Sequence, residues 1–560
     1  MFLRALAVRA GARAQSSSLR RTLNTTKMPS LSSGGVRQLS EEATSIRELP
    51  EDMPNDVVFE SRFGLRTVLL NRPEKFNSLT GSMIRKIIPR LVQWEQSDLA
   101  NVVVIKGAGE KAMCAGGDVY QLATQNQESE DGWKKSADYF ALEYKLDHYI
   151  GTYSKPVVAF MDGFTMGGGV GLSIHAPFRI ATQRTVFAMP ETAIGFFPDV
   201  GASFFLPRMN GAIGTYLALT GDRLLGPEVF YAGIATHYLH STSLPELEAR
   251  LGELRFQDGA DYRQRLELVN DTIEEFCTGL PYDQPIKLAG DLRRAVDRCF
   301  SRDTVGEIVA ALRKEAGSGA EGSEAMGQQT TNQEQVGQEQ DSQEKVSQEQ
   351  GSQEQTDQET AAQETLGQDE LGLEKTATEI WAQKQLDALQ KRSPTSVHVA
   401  LRQMRGAGHW DLAQAFQHEY QMASKFMRHP DFNEGVTALL VRKAPAHWKP
   451  ETLQDIPEGE DVAAPFFQFD SKDPLKLFND CTYTEYPHAP LGVPTEREVQ
   501  ALVRSRKLTP EQLERTMVGS RKGRQGIAEV VREMLARKTA VDAVSESAEI
   551  RSVVERNVGF

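Results

Sequence analysis

The stretch Pro156–Gly171, PVVAFMDGFTMGGGVG, sets an apolar run directly against a cluster of glycines. PVVAFMDG (156–163) is short and rich in β-branched and aromatic residues, as a buried strand requires. It runs into Gly167-Gly168-Gly169. Glycine lets a ligand approach the backbone closely, and N–H groups at a helix start lack partners and carry positive partial charge. A second turn of this kind, Cys114-Ala115-Gly116-Gly117-Asp118, stands about fifty residues earlier, again after a strand and before a helical segment. Facing each other, two such turns make a backbone oxyanion hole for a thioester carbonyl. Neither is a dinucleotide fingerprint or a phosphate loop, because the chain has no GxGxxG after its first strand and no GK[ST].

Outward from these turns, strands and helices alternate. VVFES and LRTVLL flank a turn at Gly64 and predict a hairpin. Thr80 opens a helix whose Met83, Ile87, Leu91 and Trp94 share one face. VVVIK (102–106) is a buried strand, and FRIAT (178–182) and TVFAM (185–189) are two more. The pattern is layered α/β architecture. Between 316 and 370 the composition collapses to a Gln-Glu dipeptide recurring every five residues. That period matches neither helix nor strand and forms no apolar face, so the segment is expected to be a disordered insertion. Patterned sequence returns at Glu379. Ser393-Pro394-Thr395-Ser396 is a helix start, and helices follow to Val441. Beyond 479, Thr495 and Glu498 form a capping box. Residues 495–538 hold 11 basic and 6 acidic side chains, against a net charge of −14 for the 560 residues as a whole.

That overall charge argues against nucleic acid as a ligand of the whole molecule. No segment approaches the ~18 consecutive apolar residues of a membrane span. Cys114, Cys277, Cys299 and Cys481 are far apart and without metal-ligand spacing. Reduced thiols and no disulfide framework are therefore expected. No His, Asp and Glu cluster suggests a metal either. The first acidic residue is Glu41, after seven basic residues and many serines. An Arg- and Ser-rich start without acids is the pattern of a mitochondrial transit peptide over 1–40, and implies the matrix as location.

Downstream of the glycine turns, MPETAIGFFPDVG (189–201) places Glu191 and Asp199 eight residues apart, each directly after a proline. Taken alone, such residues are commonly turn formers. Together with NRPEKFNSL (71–79), CAGGD (114–118), GFTMGGGVGLS (163–173) and DFNEGV (431–436), the stretch closely resembles the crotonase superfamily, and within it the 3-hydroxyisobutyryl-CoA hydrolase branch. The resemblance covers 52–315 and 371–478. It implies a crotonase-type spiral of repeated ββα units at 52–315, completed by a C-terminal helical part at 371–478. The segment 479–560 is then a basic helical extension.

The resemblance also implies roles. The oxyanion N–H groups fall on Gly117 and Gly168. Lys75, Phe76, Ala115 and Val119 border the nucleotide part of CoA, which is substrate rather than cofactor; no cofactor is implied. Glu143 contacts substrate. One hydratase glutamate falls on Glu191, but the other falls on Gly171, so a two-glutamate water addition lacks a partner. Asp199 stands where hydratases carry glycine. Thioester hydrolysis needs an oxyanion site, a nucleophile or base, and a group to orient the acyl chain. Glu191 fits the second role, by attack on the carbonyl or by activating water. Asp199 fits the third, through the substrate's 3-hydroxyl. His175 lacks an evident partner and reads as packed, and no His is placed to activate Cys114. The resemblance further admits an enoyl-CoA hydratase or isomerase, and a component of the mitochondrial ribosome small subunit attached through the extension. Homo-oligomers are common in the superfamily.

Overall fold

The computed structural model describes residues 39–277, 280, 285–317, 375–457, 459–470, 472–506 and 508–537. The expected transit segment 1–40 and the insertion 316–370 lie outside them, apart from two residues of each. In chain order the strands are β1 (Val57–Arg62), β2 (Leu65–Leu70), β3 (Val102–Gly107), β4 (Ala112–Cys114) and β5 (Val157–Met161). They continue as β6 (Phe164–Met166), β7 (Phe178–Ala181), β8 (Val186–Ala188), β9 (Leu224–Leu225) and β10 (His237–Tyr238).

β1 and β2 form the hairpin expected around Gly64, in antiparallel register from Val57↔Leu70 to Arg62↔Leu65. They begin a sheet of order β1-β2-β3-β5-β7-β10, parallel from β2 onward. A second sheet has the order β4-β6-β8-β9, with β4, β6 and β8 parallel. Three successive units therefore each give a longer strand to the first sheet and a short strand to the second: β3 then β4, β5 then β6, β7 then β8. This is the spiral of ββα repeats. The strand expected at 156–163 is β5, and a second short strand that its sequence did not announce, β6, follows it in the other sheet. The chain leaves the first sheet after Met161, turns at Gly163 with φ 82°, and enters the second at Phe164.

Helix α1 (Gly81–Glu95) is capped by Thr80, and its Met83, Ile87, Leu91 and Trp94 are buried against the first sheet in a cluster with Val68, Leu70, Val103 and Ile105. α2 (Val119–Glu128) and α3 (Gly132–Gly151) follow β4, and α4 (Gly168–Ile174) follows β6. Further on, α5 (Pro394–Gly406) starts at the Ser393 cap, and α6 (Leu412–Phe426) and α7 (Pro430–Thr437) complete the helical part.

The C-terminal extension folds back onto this body. α8 (Glu496–Ser505) carries the expected capping box, and α9 (Pro510–Ser520) follows it. Val499, Leu513, Met517, Ile527, Val531 and Met534 are buried in the same apolar cluster as Phe230 and Phe300. Much of its positive charge is paired within the chain, partly in the interior and partly at the surface. Arg524 pairs with Glu274, Lys522 with Asp271, Arg521 with Glu498, Arg532 with Glu514, Arg497 with Glu485, and Arg537 with Glu496 and Asp297.

Candidate active site

Because β4, β6 and β8 are parallel neighbours, their carboxyl ends lie side by side, and in such sheets ligands bind beyond those ends. β4 ends at Cys114 and delivers Gly116-Gly117. β6 ends at Met166 and delivers Gly167-Gly168. β8 ends at Ala188 and delivers Glu191 in a short 3-10 turn, Glu191–Ile194. Three loops remote in sequence are thus brought together by one sheet register.

The two glycine turns face each other. A Cβ on Gly168 would stand 3.4 Å from Gly117 N, and one on Gly167 would stand 3.3 Å from Gly116 Cα. Gly167 (φ 45°) and Gly116 (φ 111°) adopt backbone conformations that side chains disfavour. Gly168 is the first residue of α4, where N–H groups have no intrahelical acceptor. Leu79 pairs with this region as an added strand: Leu79 N–H donates to Gly116 O at 2.8 Å and Asp118 N–H to Leu79 O at 2.9 Å, leaving the Gly117 N–H between them directed elsewhere. The NRPEKFNSL loop is fixed to CAGGD by the Arg72–Asp118 ion pair at 3.1 Å, and Asn77 donates to Ala108 O and Ala112 O. Ala115 N–H donates to Phe76 O at 3.0 Å, and Val119 N–H to Gly117 O. Phe76, Ala115 and Val119 therefore gather beside the turns, with Lys75 exposed at the rim.

Two carboxyl groups lie against the turns, and two more interact with them electrostatically. Glu191 Oε1 would be 3.2 Å from a Cβ on Gly167, and Glu143 Oε1 fills the space that a Cβ on Gly168 would need. Asp199 accepts a hydrogen bond from Tyr144 O–H at 2.7 Å. The fourth, Asp147, was not anticipated. It lies one helical turn beyond Glu143 on α3, and a Cβ on Gly171 would meet its Cγ at 2.8 Å and Oδ1 at 2.9 Å. Gly168 and Gly171, three apart on α4, are thus the notches that receive Glu143 and Asp147, four apart on α3. Position 171 has no side chain, but the space beside it is occupied by a carboxyl from another helix.

Burial raises all four pKa values. Glu143 is held well above the ordinary carboxylate range by burial and then by the Asp199 charge, Asp147 by burial and then by Glu143, and Glu191 by burial and then by Asp199. Burial lifts Asp199 to about 7, with the Tyr144 hydrogen bond opposing. Among the described residues, Glu143 Oε1, Glu191 Oε2 and both Asp147 oxygens are buried without a hydrogen-bond partner. Each charge disfavours ionisation of its neighbours, so ionisation of one of the four is favoured when the others keep their protons.

Cys114 is fully buried and its thiol is pushed up to about 12, which removes it as a nucleophile. His175 is packed as expected, with Nε2 at 2.9 Å from Val200 O. The DFNEGV motif is structural: Asp431 accepts from Ser393 O–H at 2.6 Å and Lys449 N–H at 3.0 Å, while Gly435 lets α7 press against the Glu191–Ile194 turn. Asp431 was marked by its motif, whereas sequence offered no signal for Asp147 or Tyr144.

Alternating delivery of strands to two sheets, with paired glycine turns at the ends of the short ones, defines a crotonase-type acyl-CoA fold. The family model for enoyl-CoA hydratase/isomerase matches residues 65–335 and 320–466, and the chain belongs to that family. It is 51% identical over 490 residues to the small ribosomal subunit protein mS47 of Neurospora crassa, covering 87% of this chain and 86% of that one. It is 37% identical over 407 residues to the mitochondrial 3-hydroxyisobutyryl-CoA hydrolase of Gallus gallus (72% and 87%), and 35% identical over 425 residues to that of Homo sapiens (75% and 91%). Among solved structures, a carnitinyl-CoA dehydratase from Mycobacterium thermoresistibile superposes with TM-score 0.56 at 28% identity, covering 75% of this chain and 98% of the other.

Proposed function

We propose that the chain is a mitochondrial acyl-CoA thioester hydrolase that releases 3-hydroxyisobutyrate from its CoA ester, as in valine breakdown. The observation that carries this reading is Glu191 set against the paired glycine turns, with the Asp199 charge near enough to raise its pKa and no side chain at position 171. The thioester oxygen accepts from the Gly117 and Gly168 N–H groups, which stabilise the charge that develops on it. Ionised Glu191 supplies the electron pair: it either attacks the carbonyl, giving an anhydride that water then cleaves to free the hydroxy acid and restore the carboxylate, or takes a proton from a water whose oxygen attacks the carbonyl. CoA leaves as the thiol once a proton reaches its sulfur. Asp199 accepts from the substrate's 3-hydroxyl, and Glu143 lies against the same turn. Lys75, Phe76, Ala115 and Val119 border the nucleotide of CoA. A pocket of this kind separates 3-hydroxyisobutyryl-CoA from 3-hydroxypropionyl-CoA by one methyl group, ~1–3 kcal/mol. CoA release from a panel of 3-hydroxyacyl thioesters tests the reading: activity confined to esters with a 3-hydroxyl supports it, and no release from any of them overturns it.

A second reading, association with the mitochondrial small ribosomal subunit, is favoured by the likeness to the Neurospora protein. That alignment spans 490 residues, against 407 for the chicken hydrolase and 425 for the human one. Nothing in the geometry opposes both roles in one chain. Of the extension's described basic residues, Arg504, Arg506 and Arg515 have no carboxylate partner among the described ion pairs and are available to phosphate oxygens. Co-sedimentation with mitochondrial ribosomes, lost when residues after 479 are removed, supports this role. A protein that stays at the top of the gradient excludes it.

A further inference from the structure

The backbone around Asp199 takes a shape that its own residues do not favour. Val200 has φ 54°, a left-handed conformation rare for a β-branched residue, and Gly201 follows at φ 86°. Such a conformation persists where the surroundings over-determine it. Here side chains from three distant parts of the chain do so. Gln403 on α5 donates to Pro198 O and to Ser203 Oγ, both at 2.7 Å. Glu419 on α6 accepts from Gly201 N–H at 2.6 Å through Oε2 and from Ser203 N–H at 2.8 Å through Oε1. His175, at the end of α4, donates from Nε2 to Val200 O at 2.9 Å. A neutral imidazole with its proton on Nε2 presents an acceptor at Nδ1, and Tyr486 O–H is 2.9 Å from it. Pro198 O, Val200 O, Gly201 N–H and Ser203 N–H, which flank the Asp199 side chain, thereby each have a fixed partner.

Tyr486 belongs to the first residues of the C-terminal extension. Its neighbours tie the same segment to α3: Tyr483 O–H donates to Gly151 O at 3.2 Å, and Cys481 O lies 2.8 Å from His148 Nε2. Arg208 holds the segment from the other side through Thr484 O. The start of the extension is thus strapped across both the helix that carries Glu143 and Asp147 and the loop that carries Asp199.

We propose that Glu419 and the Tyr486–His175 pair are positioning residues that hold the Asp199 loop in place beside Tyr144 and the Glu143 and Glu191 carboxyls, so that catalysis requires the start of the extension to remain docked. This rests on the hydrolase reading of the site. It links the surface that would engage a ribosome to the carboxyl that orients substrate.

The test uses the full chain carrying Tyr486→Phe or Glu419→Gln, each alone and combined with Val200→Gly. Either single substitution lowers kcat for CoA release at least tenfold with KM within twofold. It also accelerates amide hydrogen exchange at Gly201 and Ser203 at least tenfold, without changing exchange in 114–118. Glycine at 200 adopts the left-handed conformation without restraint, so the double variants recover at least threefold in kcat although losing the buried valine lowers their melting temperature. Were the clamp merely structural, activity would instead fall further along with stability. The proposal is overturned if both single variants keep kcat within twofold with unchanged exchange, or if Val200→Gly deepens the defect. Should the wild-type protein release no CoA, the hydrolase reading fails, and exchange at 201 and 203 decides the clamp by itself: unchanged exchange overturns it.

Discussion

Replacing Asp199 by Asn is expected to stabilise the protein while abolishing hydrolysis. Asp199 is 4% exposed, and its burial moves the carboxyl from the ordinary 3.8 to about 7. Between those two pH values the unfolded chain has released the proton that the folded chain keeps. Stability therefore falls as pH rises from about 4 and levels off above about 7. At ~1.36 kcal/mol per pKa unit, the loss amounts to at most about 4 kcal/mol. Asparagine has nearly the same shape, carries no charge at any of these pH values, and still offers Tyr144 O–H an acceptor. The variant should match the wild type near pH 4 and gain on it progressively up to pH 8. With ~2.1 cal/mol/K of unfolding entropy per residue over roughly 400 folded residues, the gain corresponds to about 5 °C in melting temperature. Calorimetry of both proteins at one scan rate from pH 4 to 8, with CoA release measured on the same samples, reads both effects. A variant that melts at or below the wild-type temperature at pH 8, or a difference that does not grow with pH, refutes the assignment of Asp199 as an acid held uncharged by burial.

Gly168→Ala places a methyl group against Glu143 Oε1 and 3.4 Å from Gly117 N, and should lower kcat/KM by ~10²–10³ without changing circular dichroism. Glu191→Gln should lower kcat by ~10²–10⁴ with KM changed only a few-fold, the range of lost acid–base catalysis; near-normal turnover removes Glu191 from the mechanism. The Cys114 thiol, pushed up to about 12, should resist alkylation at pH 8 in the folded protein, as peptide mapping after iodoacetamide would show.

Much of this architecture is written locally and was legible for that reason. The hairpin at Gly64, the α1 face and the two glycine turns each depend on residues close in sequence. β6 was hidden, because it is three residues long and follows β5 after the tight turn at Gly163. β9 and β10, two residues each, leave no periodic signal. At the site, Glu191 and Asp199 could be singled out from spacing and resemblance. Asp147 could not, since its meaning depends on a notch at Gly171 in a different helix. Glu419 reaches Gly201 across 218 residues, and nothing near either position announces the contact. The charge excess of the extension was visible in composition. Its neutralisation by Glu274, Asp271 and Asp297 depends on tertiary packing.

The central claim is that the site hydrolyses a thioester and does not hydrate a double bond. In one preparation, free thiol released from 3-hydroxyisobutyryl-CoA and loss of enoyl absorbance from crotonyl-CoA can be followed side by side. Thiol release that disappears in Glu191→Gln, with no hydration above background, is the predicted result. Robust hydration of crotonyl-CoA with no release of CoA from the hydroxyacyl ester would contradict it.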